Sequence, residues 1–158
     1  MYSSDRLSYR EITLDDASVI VEWRSDPSVY KYFTQPHKVT VEEHINWFQN
    51  SYKNNDNRID FMALNSEGKP VGIFGIRRDS DHSLEAEVSY ILGPDFYGQG
   101  YCTEGVKWLM DYCRQIWKCT KVTAEIHKDN IRSVNLVKRL GFEQQETNGE
   151  FVIYGKQI

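Results

Sequence analysis

The 158-residue sequence predicts an α/β fold, a mixed sheet with helices on both faces, in a single domain spanning residues 1–158. Three observations carry that expectation. Short apolar runs of strand length recur between turn residues. Longer stretches interleave with them, and their apolar residues fall at helical spacing. Clear glycine-bearing turns punctuate the chain, while no internal repeat, low-complexity tract or Pro/Gly-rich linker divides it.

In chain order, Leu7 to Ile12 alternates like a first strand, and Leu14 to Trp23 sets Leu14, Ala17, Ile20 and Val21 at helical spacing. Thr40-Val41-Glu42-Glu43 reads as a capping box opening a helix through about Lys53. Its Thr40 hydroxyl would accept from the third amide while Glu43 reaches back. Ile45, Trp47 and Phe48 give that helix its apolar content. Strands are expected at Asp60 to Leu64, Pro70 to Arg78 and Leu84 to Leu92, the first two joined by the hairpin loop Asn65-Ser66-Glu67-Gly68-Lys69-Pro70. A helix from about Gly100 to Trp117 carries Val106, Leu109, Met110 and Cys113 on one stripe. Lys121 to His127 reads as a strand with Val122, Ala124 and Ile126 on one face. Asp129 to Leu140 reads as a helix that stops at Gly141, a good C-cap residue. Phe142 to Lys156 reads as a hairpin through Asn148-Gly149, where both positions tolerate positive φ.

Bulk properties narrow the function classes. A chain of this length buries roughly 70% of its unfolded surface, enough for a core without disulfides or metals. The formal net charge of −4 argues against nucleic acid as the main partner, since phosphate backbones draw on clustered Lys and Arg. Cys102, Cys113 and Cys119 form no metal-like pair and leave an odd count for disulfides, so reduced thiols in a cytoplasmic protein, with no bound metal, are expected. Met1 to Arg10 holds no signal-like apolar run, and no stretch of about 18 apolar residues appears, so no membrane partner is expected.

The stretch richest in chemistry runs from Glu87 through Ser89-Tyr90-Ile91-Leu92 to Tyr97-Gly98-Gln99-Gly100-Tyr101-Cys102-Thr103-Glu104. A strand enters a glycine turn and a helix starts at once. Glycines let the backbone approach a ligand, and the first helical amides have no partner in the helix. Free N–H groups at the positive end of a helix suit a pyrophosphate. The competing reading is a pair of glycines that only shapes a turn. The third glycine of the dinucleotide fingerprint is missing, and no Gly-Lys-Ser/Thr follows as in NTPase loops.

These residues resemble motif A of the GNAT acetyltransferases, and Asn130-Ile131-Arg132-Ser133-Val134-Asn135-Leu136-Val137-Lys138-Arg139-Leu140-Gly141-Phe142 resembles their motif B. The resemblance spans essentially the whole chain in the right order. It implies the GNAT fold, with a mostly antiparallel central sheet of six or seven strands, and acetyl-CoA as acetyl donor. It places the pyrophosphate on Gly98, Gln99, Gly100, Tyr101, Cys102 and Thr103, the pantetheine arm along Tyr90, Ile91 and Leu92, and Asn130 and Ser133 at the thioester end. One departure is Asp95, where the family's motif usually starts with Gln or Arg.

An ammonium must lose a proton before its nitrogen can attack. Glu87 is the first candidate base, directly or through water; the competing reading pairs it with Arg77 or Arg78. Glu125 and His127, on one face of the next strand, are the alternatives, either as base or as acceptor ligands. The tyrosine that many family members present to the leaving thiolate is Val137 here, so Tyr90, Tyr154 or a water would substitute, if an acid is needed at all. The developing oxyanion matches a backbone N–H near Ile91. Cys102 belongs to the pyrophosphate loop, so direct transfer is expected rather than an acetyl-enzyme.

The acceptor is expected to be a small-molecule or peptide primary amine. Trp23-Arg24-Ser25-Asp26-Pro27 followed by Glu43-His44-Ile45-Asn46-Trp47-Phe48 is similar to acetyltransferases of nucleotide-linked 4-amino sugars in pseudaminic-acid assembly. Trp47 would stack on a base or sugar and Arg24 would meet a phosphate, while His37 and His44 serve the acceptor pocket or the surface. Against that, Trp47 and Phe48 at helical spacing also suit a core. Similar segments occur in the ribosomal-protein N-terminal acetyltransferases, which leaves a protein N-terminus as the alternative acceptor. A module that binds acetyl-CoA without turnover stays open because Val137 lacks the usual hydroxyl. A homodimer is compatible with all of these.

Overall fold

The computed structural model describes residues 1–158, and every strand belongs to one eight-stranded sheet. Its strands are β1 (Tyr2–Ser3), β2 (Ser8–Glu11), β3 (Arg58–Leu64), β4 (Pro70–Arg77), β5 (Glu85–Leu92), β6 (Lys121–His127), β7 (Glu143–Asn148) and β8 (Phe151–Gln157). The spatial order is β1-β2-β3-β4-β5-β6-β8-β7. Every neighbouring pair is antiparallel except β5 and β6, which are parallel. The sheet is therefore mixed and mostly antiparallel as expected, but it has eight strands rather than six or seven. The expected count falls short because β1 is only two residues, too short to show any alternation.

Two apolar layers cover the two faces. The larger holds α4 (Tyr101–Gln115) and α5 (Ile131–Arg139): Val106, Leu109, Met110 and Cys113 of α4 and Val134, Leu136 and Val137 of α5 are all buried there. Gly105 fits that layer because its missing Cβ leaves room for the Phe74 ring. Trp108 stacks on Tyr9 at 3.8 Å between centroids, tying the helix to β2. On the opposite face α1 (Ala17–Arg24) and α3 (Val41–Trp47) bury Ile20 and Trp23 against Ile12, Tyr52, Met62 and Ile73. A four-residue α2 (Pro27–Tyr30), capped by Asp26 through the Ser28 amide at 2.9 Å, lies between them.

Local chemistry explains where the sequence reading departs. The Thr40 hydroxyl accepts from the Glu43 amide at 3.1 Å, but Glu43 does not reach back to the Thr40 N–H. Its carboxylate instead meets the Thr40 hydroxyl and the His37 ring, at 3.2 and 3.3 Å. The expected single helix to Lys53 becomes α3 plus a π-helical turn, Phe48–Tyr52, closed by Lys53 N–H to the Phe48 carbonyl at 3.0 Å. Gly141 ends α5 at φ 90° as predicted, whereas the last hairpin turns through Gly149, at φ 63°, and Glu150, because Asn148 still pairs with Phe151 in the ladder instead of entering the turn.

Candidate active site

The parallel pair β5–β6 is short. It is paired only at Glu85–Lys121, Ala86–Val122 and Glu87–Thr123. Beyond these, β5 stays on β4 to Leu92 and β6 stays on β8 to His127, so their facing edges part. Backbone groups that an ordinary ladder would pair are left to border an open cavity of about 1090 Å³. The alternation of the β4–β5 ladder says which amides these are. Gly93 N–H donates to the Val71 carbonyl at 2.9 Å, which places Ile91 N–H in a bonded pair with Ile73 and turns the Tyr90 and Leu92 amides toward the opening. The donor expected near Ile91 is therefore supplied by its two neighbours.

At the far end of β5 the chain passes through Pro94–Phe96, a single 3₁₀ turn, into the glycine loop. Gly98 and Gly100 both adopt left-handed φ, 80° and 79°, which glycine tolerates without a Cβ penalty. The first amide to find a backbone acceptor is that of Glu104, bonded to the Gly100 carbonyl at 3.1 Å. The amides from Gly98 to Thr103 donate to no group of the chain. A Cβ placed on Gly98 would meet nothing within 4 Å, so the space in front of the loop is open. Free donors, a helix N-terminus and room for a ligand together fit a pyrophosphate. The loop is held from behind by a residue that sequence reasoning missed. Arg6 donates to the Gln99 carbonyl at 2.7 Å and to Glu104 at 2.8 Å, and Ser4 also bonds Glu104. Nothing local to Arg6 signals a partner more than ninety residues away.

The fold gathers nearly all the expected site residues on this cavity. Tyr90, Ile91, Leu92, Gly98, Gly100, Tyr101, Cys102 and Thr103 line it, as do Asn130 and Ser133 from the start of α5. Gln99 does not; its carbonyl faces Arg6. Glu87, Glu125 and His127 lie on the α1–α3 side with Arg24 and Trp47.

The acid–base candidates differ in their partners. Glu87 is gripped by Arg77, with contacts of 3.0 and 3.2 Å from Nη2, so the ion pair weighed from sequence is present, and Arg78 turns away to Asn57. Glu125 forms neither ion pair nor hydrogen bond. Nδ1 of His127 accepts the Asp129 N–H at 3.1 Å, so the neutral ring carries its proton on Nε2 and acts as a donor there. The Tyr90 hydroxyl is buried without a hydrogen-bond partner, with Ser133 as its polar neighbour. Burial pushes that hydroxyl above its ordinary range, which keeps it protonated. Burial likewise pushes the Cys102 thiol up to about 12, partly offset by Arg132, so it is no thiolate nucleophile. Tyr154 is buried in the larger core and does not line the cavity, and Val137 is fully buried there.

The remaining wall comes from α1, α3 and β3. Gly75 has no Cβ where the Asp60 carboxylate and the Ser89 hydroxyl approach it. Asp60 pairs with Arg58 at 3.1 Å, and the Arg58 guanidinium lies over Trp47 at 4.8 Å. Trp47 packs on the smaller core with one side and lines the cavity with the other. His44, only 3% exposed, lines the cavity beside them, and His37 lines its rim while staying exposed.

Residues 6–143 match the acetyltransferase (GNAT) domain family. The chain is 26% identical over 146 residues to p20, an uncharacterized N-acetyltransferase of Bacillus licheniformis, covering 90% of this chain and 82% of the relative. It is 23% identical over 158 residues to the spermidine N(1)-acetyltransferase of Escherichia coli K12, covering 99% and 83%. The crystal structure of spermidine N-acetyltransferase from Vibrio cholerae in complex with CoA and spermine superposes with a TM-score of 0.86, at 17% identity, over 96% of this chain and 95% of the other, a likeness of fold. No helix is long and apolar enough to cross a membrane.

Proposed function

The chain belongs to the GNAT acetyltransferase family and is an acetyl-CoA-dependent N-acetyltransferase, and from that premise we propose that it transfers acetyl directly to a small primary amine entering on the α1–α3 side of the cavity. The observation that carries the reading is the parting of β5 from β6 directly in line with a loop of unpaired amides. Acetyl-CoA supplies an acyl group already activated as a thioester. The amides of Gly98 to Thr103 would hold its pyrophosphate, and the free edge of β5 would pair with the pantetheine arm, as one strand pairs with another. The Tyr90 and Leu92 amides face the place where charge develops on the carbonyl oxygen.

Glu125 takes the proton that the incoming ammonium sheds, directly or through one water, because of the two carboxylates on the facing strands Glu87 is held by Arg77 and Glu125 carries no cation. Glu87, first choice from the sequence, is committed to Arg77 and shapes the field at the strand junction. Tyr90 would offer its O–H as a hydrogen bond to the departing sulfur while keeping its proton, and the sulfur leaves as the thiolate, since Val137 has no hydroxyl to offer. His127 orients the acceptor with its Nε2–H, between the rings of Tyr32 and Phe151.

The class of amine is open to a direct assay. The E. coli and V. cholerae relatives bear the name of spermidine, while the segments around Arg24 and His44 are similar to those of enzymes acting on nucleotide-linked 4-amino sugars. Thiol release from acetyl-CoA is measured with spermidine, a UDP-linked 4-amino sugar and a peptide bearing a free α-amine. Release with one of the small amines and not with the peptide is the expected result. Release with the peptide alone would place the acceptor among protein N-termini and overturn the small-amine reading.

A further inference from the structure

Arg24 leaves the end of α1 with its guanidinium 5.5 Å from the Phe33 ring and its Nε buried without a hydrogen-bond partner. No carboxylate pairs with it. Every acid nearby is already taken: Asp60 by Arg58 at 3.1 Å, Asp16 by Arg10 at 2.8 Å, and Glu43 by His37 at 3.3 Å. His44 lines the same cavity, 3% exposed, with neither ring nitrogen bonded. A half-buried guanidinium and a buried imidazole left without partners are costly in a folded protein unless a ligand or solvent supplies them. Within the cavity lining of α1, α3 and β3, Arg24 and Arg58 face the single carboxylate of Asp60, which Arg58 already holds; Glu43, the other acid whose field reaches Arg24, lies outside the lining.

We infer that the acceptor carries an anionic group, a carboxylate or a phosphate, which Arg24 and His44 bind while its amine lies toward Glu125. The inference rests on the reading of this side of the cavity as the acceptor side. A guanidinium presents parallel N–H donors that match two oxygens of a carboxylate or phosphate, and a neutral imidazole always has one N–H to add. The register separates this anion from those of the donor. Asp60, Gly75 and Ser89 are successive partners across β3, β4 and β5, so the cluster is aligned with Ser89, whereas the glycine loop follows Leu92. An acceptor with an anion at one end and an amine at the other differs in kind from a linear polycation such as spermidine.

Inorganic phosphate and acetate are titrated separately into the protein saturated with acetyl-CoA, and the ring resonances of His44 are followed by NMR. A saturable shift with phosphate, acetate or both is expected, and the preferred ion tells a phosphate from a carboxylate acceptor. Spermidine should leave the His44 resonances unmoved. Arg24→Met, which keeps an unbranched side chain without the guanidinium, should weaken anion binding roughly tenfold or more. Arg24→Lys should retain part of the affinity, and acetyl-CoA affinity measured by calorimetry should not change. Absence of any saturable shift in the wild-type protein would overturn the inference without reference to a variant's folding. So would an anion that only acetyl-CoA-free protein binds, since the cluster would then be a donor-phosphate site. The titration needs no turnover, so its outcome is independent of the thiol-release assay.

Discussion

Gly98 offers a clean separation of fold from ligand binding. Its φ of 80° lies in the left-handed region, and a Cβ there would meet no atom of the chain. Gly68, in the hairpin between β3 and β4, has the same properties, φ 77° and open space, but lies away from the cavity. Replacing either by Glu forces an L-residue into the left-handed region at a cost of about 1–2 kcal/mol. For a chain of this size that lowers Tm by roughly 2–8 °C. The two variants should therefore melt alike. Only at Gly98 does the new carboxylate stand in front of the loop amides. Within about 5 Å of one phosphate charge, at an effective dielectric of about 20, it costs about 3 kcal/mol, more than a hundredfold in affinity. Calorimetric titration with acetyl-CoA checks this, with Gly68→Glu as the strain-matched control. Gly100 is the poorer choice because Arg6 Nη2 lies 3.2 Å from its absent Cβ. Equal acetyl-CoA affinity in Gly98→Glu and Gly68→Glu would refute the placement of the pyrophosphate.

The base assignment predicts that Glu125→Gln lowers kcat roughly 100- to 10,000-fold with acetyl-CoA binding intact, and that Glu87→Gln does much less. A collapse of kcat in Glu87→Gln with Glu125→Gln unaffected would return the role to Glu87. In the larger core, Gly105→Ala places a methyl against the Phe74 ring and should cost about 1–3 kcal/mol, read as a lower Tm, with kcat preserved at temperatures where the variant stays folded. An unchanged Tm would show that α4 and β4 have slack that the packing does not reveal.

Much of this architecture is written in local pattern. The stripe Val106, Leu109, Met110 and Cys113 is buried as its spacing requires, and the last hairpin turns at Gly149 as its glycine announces, although Asn148 stays in the strand and Glu150 is the second loop residue. The glycine loop is legible because backbone conformation and residue type coincide at Gly98 and Gly100. What escapes the sequence depends on distance along the chain. Arg6 and Glu104 meet across the fold, and neither carries a mark of the other. Arg24, His44 and Asp60 come from α1, α3 and β3, so an unpartnered guanidinium beside a buried imidazole emerges only after assembly. The Glu43 carboxylate follows local chemistry too, but a competing kind, because His37 offers it a partner. The parting of β5 from β6 has no signal at all, since strands read alike whether or not their edges are paired.

That parting has a mechanical side. Three ladder pairs, with the Thr120 and Lys121 amides on the Leu84 carbonyl just before them, make up the hydrogen-bonded junction between the strands β1 to β5 and the strands β6, β8 and β7. A ligand laid along the open edge adds contacts to both banks of the seam, and its binding free energy stabilises the joined form by mass action. Amide exchange along β6 and the Tyr90–Leu92 segment should therefore slow together when the donor substrate binds, although that substrate touches only part of either strand. On the proposed placement, the molecule that brings the acetyl group would also splice the two banks of the sheet.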